Sequence, residues 1–293
     1  LDTVPDRLAV VGAGYIGLEL GMAFAKLGSK VSVIEAADQI LPAYDKDLVT
    51  PVADRMQTLG IDTHVSTRAK ALLPDGTGLI VENGSTEHHI QADKVLVAIG
   101  RTPISRENGL DTLALDYDGD FIRIDDTCRT SMRDVFAIGD VTGEPMLAHR
   151  AMAQGEIVAE IVAGHQAAWD KYCIPAVCFT DPEIVTAGLS EAEATAQGHD
   201  IKIGRFPFLA NGQSLAHERG DGFVRVVARA DTGLVLGMQA VGAGVSELSS
   251  AFALAIENAL QLADIAGTIQ AHPTRSEALH EASLDALGHT LHI

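Results

Sequence analysis

The chain has 293 residues, 47% hydrophobic and 21% charged, with 28 glycines, which is the composition of a folded α/β protein and excludes a disordered one. A formal charge of −19 argues against a nucleic-acid partner, because binding there needs clustered Lys and Arg to displace counterions from phosphates. It suits a well-solvated surface, or an acidic face that steers a basic protein partner.

No run approaches the ~18–20 uninterrupted apolar residues of a membrane span, since Glu19 and Lys26 break the most apolar segment. No signal peptide is visible. Three cysteines, an odd number, suit a reducing compartment, read here as cytoplasmic. A start at Leu1-Asp2-Thr3, without an initiator methionine, leads us to expect the C-terminal portion of a longer protein.

In chain order, the apolar run Leu8–Val11 predicts a strand, followed by Gly12-Ala13-Gly14-Tyr15-Ile16-Gly17 and an amphipathic helix from Tyr15 to Leu27. This is the pattern in which a strand turns into a helix whose N-terminus can hold a pyrophosphate. A strand at Val31–Ile34 ends in Glu35, 18 residues after Gly17, close to the ~20 expected for an acid that hydrogen-bonds an adenosine ribose. A carboxylate there repels a 2′-phosphate, which favours NAD over NADP. A glycine turn followed by a surface glutamate is the blander reading. A second helix from Asp45 to Leu59 stops at Gly60. Residues 61–95 read as short strands with turns at Asp75-Gly76 and Asn83-Gly84, and the strand Lys94–Ile99 ends at Gly100.

A smaller unit follows, with a turn at Asp118-Gly119, a strand Val135–Ile138 running into Gly139-Asp140, and a helix from Ala148 to Ala163. Beyond Trp169 the pattern gives strands at Phe223–Arg229 and Leu234–Val241, a helix at Ser246–Ala259 and a closing helix after Thr274. The domains expected are 1–101, 102–168 and 169–293.

Ala271-His272-Pro273-Thr274-Arg275-Ser276-Glu277 joins a histidine to a carboxylate five residues on. An imidazole can take and return a proton near neutral pH, and a carboxylate on its other nitrogen fixes the tautomer. Taken alone, a His-Pro pair before a helix is more often a capped turn than a catalytic base. Cys173 and Cys178 have the CxxxxC spacing of a redox pair, but a strand over Ala176–Phe179 separates the sulfurs too far for a bond. Cys128 reads as a structural thiol. No histidine shows metal-ligand spacing, so no metal is expected.

Taken together, Gly12–Glu19 with Glu35, Ala98-Ile99-Gly100-Arg101, Ala137-Ile138-Gly139-Asp140, Met146-Leu147-Ala148-His149, Phe179-Thr180-Asp181-Pro182-Glu183 and Ala271–Thr274 resemble the C-terminal two-thirds of the dihydrolipoamide dehydrogenase family, among the FAD-dependent pyridine nucleotide-disulfide oxidoreductases. The resemblance implies an α/β chain: a Rossmann-like NAD-binding domain, a remnant of the FAD-binding domain, and a C-terminal α+β dimerisation domain. It implies NAD contacts at Gly12, Ala13, Gly14, Tyr15, Ile16, Gly17, Glu35, Ala69 and Gly100. Asp140 meets the FAD ribitol, and Met146, Leu147, Ala148 and His149 meet the flavin. Glu19 pairs with a lysine near the flavin that this sequence lacks. Tyr15 either covers the nicotinamide pocket or packs its helix.

By the same resemblance His272, oriented by Glu277, acts on dithiol chemistry at the partner subunit of a homodimer. The implied partners are the lipoyl domain and the peripheral subunit-binding domain of a 2-oxoacid dehydrogenase complex. Gln270 stands where many relatives carry another histidine, and the FAD fold with its CxxxxC pair is not in this sequence. A glutathione-reductase-like enzyme is disfavoured by Glu35, and a mercuric reductase by the terminus Leu291-His292-Ile293. An inactive NAD-binding and dimerisation fragment is the remaining alternative.

Overall fold

The computed structural model describes residues 2–293 and divides into two compact units: residues up to Gly100 together with Pro175–Ile293, and Arg101–Ile174. In the first, β1 (Arg7–Val11) leads through α1 (Tyr15–Lys26) to β2 (Lys30–Ile34), and α2 (Lys46–Thr58) leads to β3 (Asp62–His64). A meander of β4 (Thr67–Leu72), β5 (Gly78–Asn83) and β6 (Thr86–Gln91) then precedes β7 (Lys94–Val97). The four parallel strands lie in the order β3-β2-β1-β7. The central strand β1 is buried along its middle residues, as expected of a parallel strand covered on both faces.

α1 forms because Gly17, Leu18, Gly21 and Met22 make one buried stripe on the sheet, and it stops where Gly28 adopts φ +104°. α2 buries Leu48, Val49, Val52 and Met56. The turns expected at Asp75-Gly76 and Asn83-Gly84 are present, with left-handed Gly76 and Gly84. The last strand is shorter than expected and ends at Val97.

In the second unit, β8 (Tyr117–Asp118) and β9 (Phe121–Ile122) form a hairpin, and α3 spans Ala148–Val162. The strand expected at Val135–Ile138 is not formed. Among the described residues only a single bridge, Phe136 to Arg129, is made, because the backbone of the segment bonds to Cys128, Thr130 and Met132 and has no second strand beside it to extend a ladder. A 3₁₀ turn, Gly139–Thr142, follows.

The remainder of the first unit is an antiparallel sheet of β10 (Ala176–Cys178), β11 (Glu183–Gly188), β12 (Ile201–Pro207), β13 (Phe223–Arg229) and β14 (Val235–Gly242), ordered β10-β11-β14-β13-β12. Its helices are α4 (Glu191–Ala196), α5 (Gly212–Ala216), α6 (Ser249–Glu257), α7 (Leu262–Ala266) and α8 (Glu277–Leu287). The helix expected over Ser246–Ala259 is divided. Val245–Leu248 is 3₁₀ and α6 begins at Ser249, since the tighter winding aligns Val245 and Leu248, three apart, on the core.

Parallel and antiparallel parts share one apolar cluster, in which Leu8, Val10 and Leu18 meet Cys178, Ile184, Phe223 and Val241. Two ionic groups border it. Asp181 meets Lys26 at 2.8 Å, Arg55 at 3.2 Å and Arg219 at 2.5 Å. Arg225, on β13, meets Asp45, Asp47 at 3.2 Å and Gln239 at 2.8 Å.

Burial alone would raise the Asp181 carboxyl, but hydrogen bonds and charges from Lys26 and Arg219 more than reverse this and hold it at about 2. A depressed carboxyl contributes stability that is present above its unfolded value and lost as pH falls through the folded one. Asp181→Asn is expected to lower stability by about 1–2 kcal/mol at pH 7. The difference from wild type, read by denaturant unfolding, should close between about pH 5 and pH 2.

Candidate functional site

The glycine turn is built by steric necessity. Gly12 sits at φ +101°, where a Cβ would lie 2.4 Å from the Ala98 carbonyl oxygen. A Cβ on Gly17 would lie 2.0 Å from the Gly12 carbonyl oxygen. Around Gly14, the N-cap of α1, a Cβ would meet nothing within 4 Å. The backbone there faces open space, with no side chain capping the first turn of α1 and no acid within it. Such a helix start suits an anionic pyrophosphate.

Glu35 follows β2 directly. Its Oε2 accepts from Ala13 N at 2.7 Å and its Oε1 from Ala37 N at 2.8 Å. Each carboxylate oxygen keeps a further lone pair, so the same group that braces the glycine turn can accept from a ribose diol. The Glu35 carbonyl takes the Thr67 amide at 2.8 Å, which starts β4 beside the acid. Ala69 lies exposed at an irregularity in the β4–β5 pairing. Gly100 is exposed at φ +135°. Ile16 is half-buried, and the half-buried Tyr15 packs on the shared core.

Within the chain, Glu19 Oε1 accepts the Phe179 amide at 2.8 Å. Burial raises its carboxyl, and the Phe179 bond only partly offsets that.

In the second unit, Asp140 lies half-buried in the 3₁₀ turn. Arg101 contacts its carboxylate and donates to the Met146 carbonyl at 3.2 Å. Gln154, 4% exposed, accepts from Gly139 N at 2.7 Å, and Arg150 donates to Gly143 O at 2.7 Å. Leu147 caps α3 by backbone alone, and Ala148 and His149 stand exposed in its first turn. A hydroxyl-accepting carboxylate and an uncapped helix start fit the flavin end of FAD. Arg101, Arg150 and Gln154 were not assigned these roles from sequence, because their partners lie up to 45 residues away.

The His272 ring is 76% exposed, and its Nδ1 faces Glu277 Oε1 at 2.8 Å. Glu277 opens α8, and its Oε2 takes the Thr274 amide at 2.7 Å. Burial works against this carboxylate, yet the Thr274 amide and then His272 outweigh it and hold the carboxyl below its usual range. Asn211, 3% exposed, fixes the loop by donating to the Thr274 carbonyl at 2.9 Å across 63 residues. No local pattern signals Asn211.

No disulfide joins Cys128, Cys173 or Cys178 among the described residues. Cys178 is fully buried in β10, and burial pushes its thiol up to about 11, the reverse of an activated nucleophile. Among the described residues, no group of three or more His, Cys, Asp or Glu is placed to hold a metal, and no helix is long and apolar enough to cross a membrane.

A dinucleotide turn on a parallel sheet, joined to an antiparallel sheet bearing an exposed histidine–glutamate pair, defines a nucleotide-dependent oxidoreductase architecture. Residues 1–155 match the pyridine nucleotide-disulphide oxidoreductase family, and residues 174–283 match the dimerisation domain of the same family. The chain belongs to the pyridine nucleotide-disulphide oxidoreductases, whose cofactors are FAD and NAD(H).

It is 55% identical over 292 residues to dihydrolipoyl dehydrogenase of Pseudomonas aeruginosa, covering 99% of this chain and 62% of that protein. It is 48% identical to dihydrolipoyl dehydrogenase 2 of Haloarcula marismortui, covering 100% and 63%. The chain thus spans less than two-thirds of these relatives. Among solved structures, LpdA from Mycobacterium tuberculosis superposes with a TM-score of 0.87 at 28% identity, covering 97% of this chain and 62% of that one. The flavoprotein disulfide reductase RclA of Escherichia coli, at 23% identity, TM-score 0.88 and coverage of 97% and 65%, shares the fold.

Gly14→Ala is expected to leave unfolding within about 0.5 kcal/mol of wild type, while weakening NADH binding at least about tenfold because the methyl enters the pyrophosphate's path. Gly17→Ala, which drives a methyl into a carbonyl, should instead destabilise the fold by about 1–3 kcal/mol. Thermal unfolding and NADH fluorescence titration separate the two.

Proposed function

We propose that this chain is the NAD-binding, flavin-contacting and dimerisation portion of a dihydrolipoyl dehydrogenase. The enzyme would oxidise protein-bound dihydrolipoamide to lipoamide, with NAD⁺ reduced to NADH and one proton released. The observation that carries the reading is the exposed His272 ring, held through Nδ1 by Glu277. The identities with dihydrolipoyl dehydrogenases over nearly the whole chain support it.

Nδ1 is engaged by the carboxylate, so Nε2 is the atom left to take a proton from a dihydrolipoyl thiol and release it later. The resulting thiolate is the nucleophile that opens a disulfide. Glu277 fixes the tautomer and stabilises the imidazolium. Thr274 and Asn211 keep Glu277 and the loop in place. Bound FAD would carry the electron pair from the dithiol couple to NAD, as is the cofactor's own chemistry. Gly12, Ala13, Gly14, Tyr15, Ile16 and Gly17 would form the pyrophosphate turn, Glu35 would select the unphosphorylated ribose, and Ala69 and Gly100 would border the nucleotide. Asp140, with Met146, Leu147, Ala148 and His149, would meet the flavin.

The working form is a homodimer, for which the match to a dimerisation domain is the support. Exposed Leu209 and Leu215 lie in the segment whose Gly212 borders His272, and they suit an apolar subunit contact. The acidic charge of −19 suits a basic peripheral subunit-binding domain, with the lipoyl domain delivering substrate in the cytoplasm.

In the intact enzyme, His272→Gln is expected to lower lipoamide-dependent NADH formation by about 10²–10⁴-fold, with NADH binding unchanged. Glu277→Gln should cost less, about 10-fold to 10²-fold, since it weakens orientation only. Unaltered turnover in His272→Gln would overturn the assignment.

A further inference from the structure

The segment between β2 and α2 returns to the glycine turn. Leu41 N donates to the Ala13 carbonyl at 2.8 Å, while Ala13 N donates to Glu35 Oε2 at 2.7 Å. Ala13 is therefore held from both sides. To reach it Leu41 adopts φ +47°, a left-handed setting that is costly for a side chain of this size. That side chain is 1% exposed and belongs to the core shared by the two sheets, and its burial keeps the backbone in place. Filling the core does not by itself ask for such a setting, since the buried Leu8, Leu18 and Leu48 lie in regular elements without positive φ.

Ser66 acts alike on the other arm of Glu35. At φ +50° its amide donates to the Ala37 carbonyl at 2.7 Å, and Ala37 N donates to Glu35 Oε1 at 2.8 Å. Two of the seven non-glycine residues with positive φ among the described residues thus clasp the two residues whose amides Glu35 receives. Backbone settings of this kind persist where the surroundings over-determine them, and they cluster at ligand clamps.

We propose that Leu41 is a positioning residue of the nucleotide site, acting by fixing the direction of the Gly14 amide. The Ala13–Gly14 peptide is trans, so its carbonyl and its N–H point in opposite directions. With the carbonyl turned toward Leu41, the Gly14 N–H is turned away, and it donates to no group among the described residues. This rests on the reading that the glycine turn holds the NAD pyrophosphate, and deepens it: the N–H is set for a phosphate oxygen before the nucleotide arrives. A donor already oriented loses little freedom on binding. Without the Leu41 bond that peptide is free to rotate, and a charge-assisted hydrogen bond to the anion is weakened.

The test takes away one hydrogen-bond donor in the intact protein. Replacing Leu41 by its α-hydroxy acid turns the amide into an ester, keeps the side chain and removes the N–H. The same exchange at Tyr44, whose amide donates to the Leu41 carbonyl at 2.9 Å, breaks a bond of the same segment that does not touch the turn. The probes are ADP-ribose, which carries the pyrophosphate, and adenosine, which lacks it, each titrated by calorimetry. The Leu41 ester should bind ADP-ribose about tenfold more weakly than wild type, the size of one hydrogen bond to a charged oxygen. Adenosine should bind it within about twofold of wild type, and the Tyr44 ester should bind both probes as wild type does. Unchanged ADP-ribose binding by the Leu41 ester overturns the proposal. An equal loss for both probes, or in both esters, also overturns it, because it would mark loosening of the whole segment. Wild-type protein that binds no ADP-ribose would overturn the nucleotide reading as well. Hydrogen exchange in the unaltered protein covers an ester that does not fold: ADP-ribose should slow exchange at the Leu41 amide at least about threefold more than adenosine does. Equal slowing by the two probes counts against Leu41 and overturns its role.

Discussion

Arg225 lies in β13 with its side chain 5% exposed, and a guanidinium taken that far from water is tolerated only while it is paired. Its partners are Asp45, the residue capping α2, Asp47 in the first turn of that helix, and Gln239 on the neighbouring strand. The ion cluster therefore fixes where the start of α2 meets the antiparallel sheet. The Asp181 cluster does the same for α1 and α2 through Lys26 and Arg55. Between these clusters the apolar contacts from Leu8 to Val241 form a single core. The nucleotide turn, at one end of α1, thereby inherits the rigidity of a sheet more than 150 residues away in sequence.

The two chemical sites are supported by one device, a carboxylate that accepts backbone amides while leaving capacity for a second partner. Glu35 takes the Ala13 and Ala37 amides, and Glu277 takes the Thr274 amide while facing His272. A carboxylate held in this way loses little further freedom when it meets its second partner. Around Asp140 the arrangement differs: Arg101, Arg150 and Gln154 engage the turn through long side chains. Its geometry rests on side chains from elsewhere in the unit rather than on a ladder of strands.

Much of this was legible in the sequence where the information is local. Gly12, Gly14 and Gly17 identify a turn because close approach forbids a side chain there, and Glu35 follows by strand length. His272 and Glu277 are five apart and straddle a helix start, so their pairing needs only local geometry. β12 carries no strand expectation above, because Lys202, Gly204 and Arg205 break the apolar alternation that marks a strand. The reason for Gly204 is not local. A Cβ there would lie 1.8 Å from the Ala282 carbonyl oxygen, since α8 crosses directly over β12. The strand expected at Val135–Ile138 had the right residues and lacked neighbours.

The sequence by itself determined the glycine turn between strand and helix, the placement of Glu35 directly after the next strand, the histidine–glutamate pair and the α/β character, because each depends on residues within about one turn or one strand of each other. Tertiary structure alone decided the pairing of Asp181 and Arg225 with charges on α1 and α2, and the support of Thr274 by Asn211. Those contacts are set by which surfaces the core brings together, and hydrogen bonds across such separations leave no periodicity along the chain.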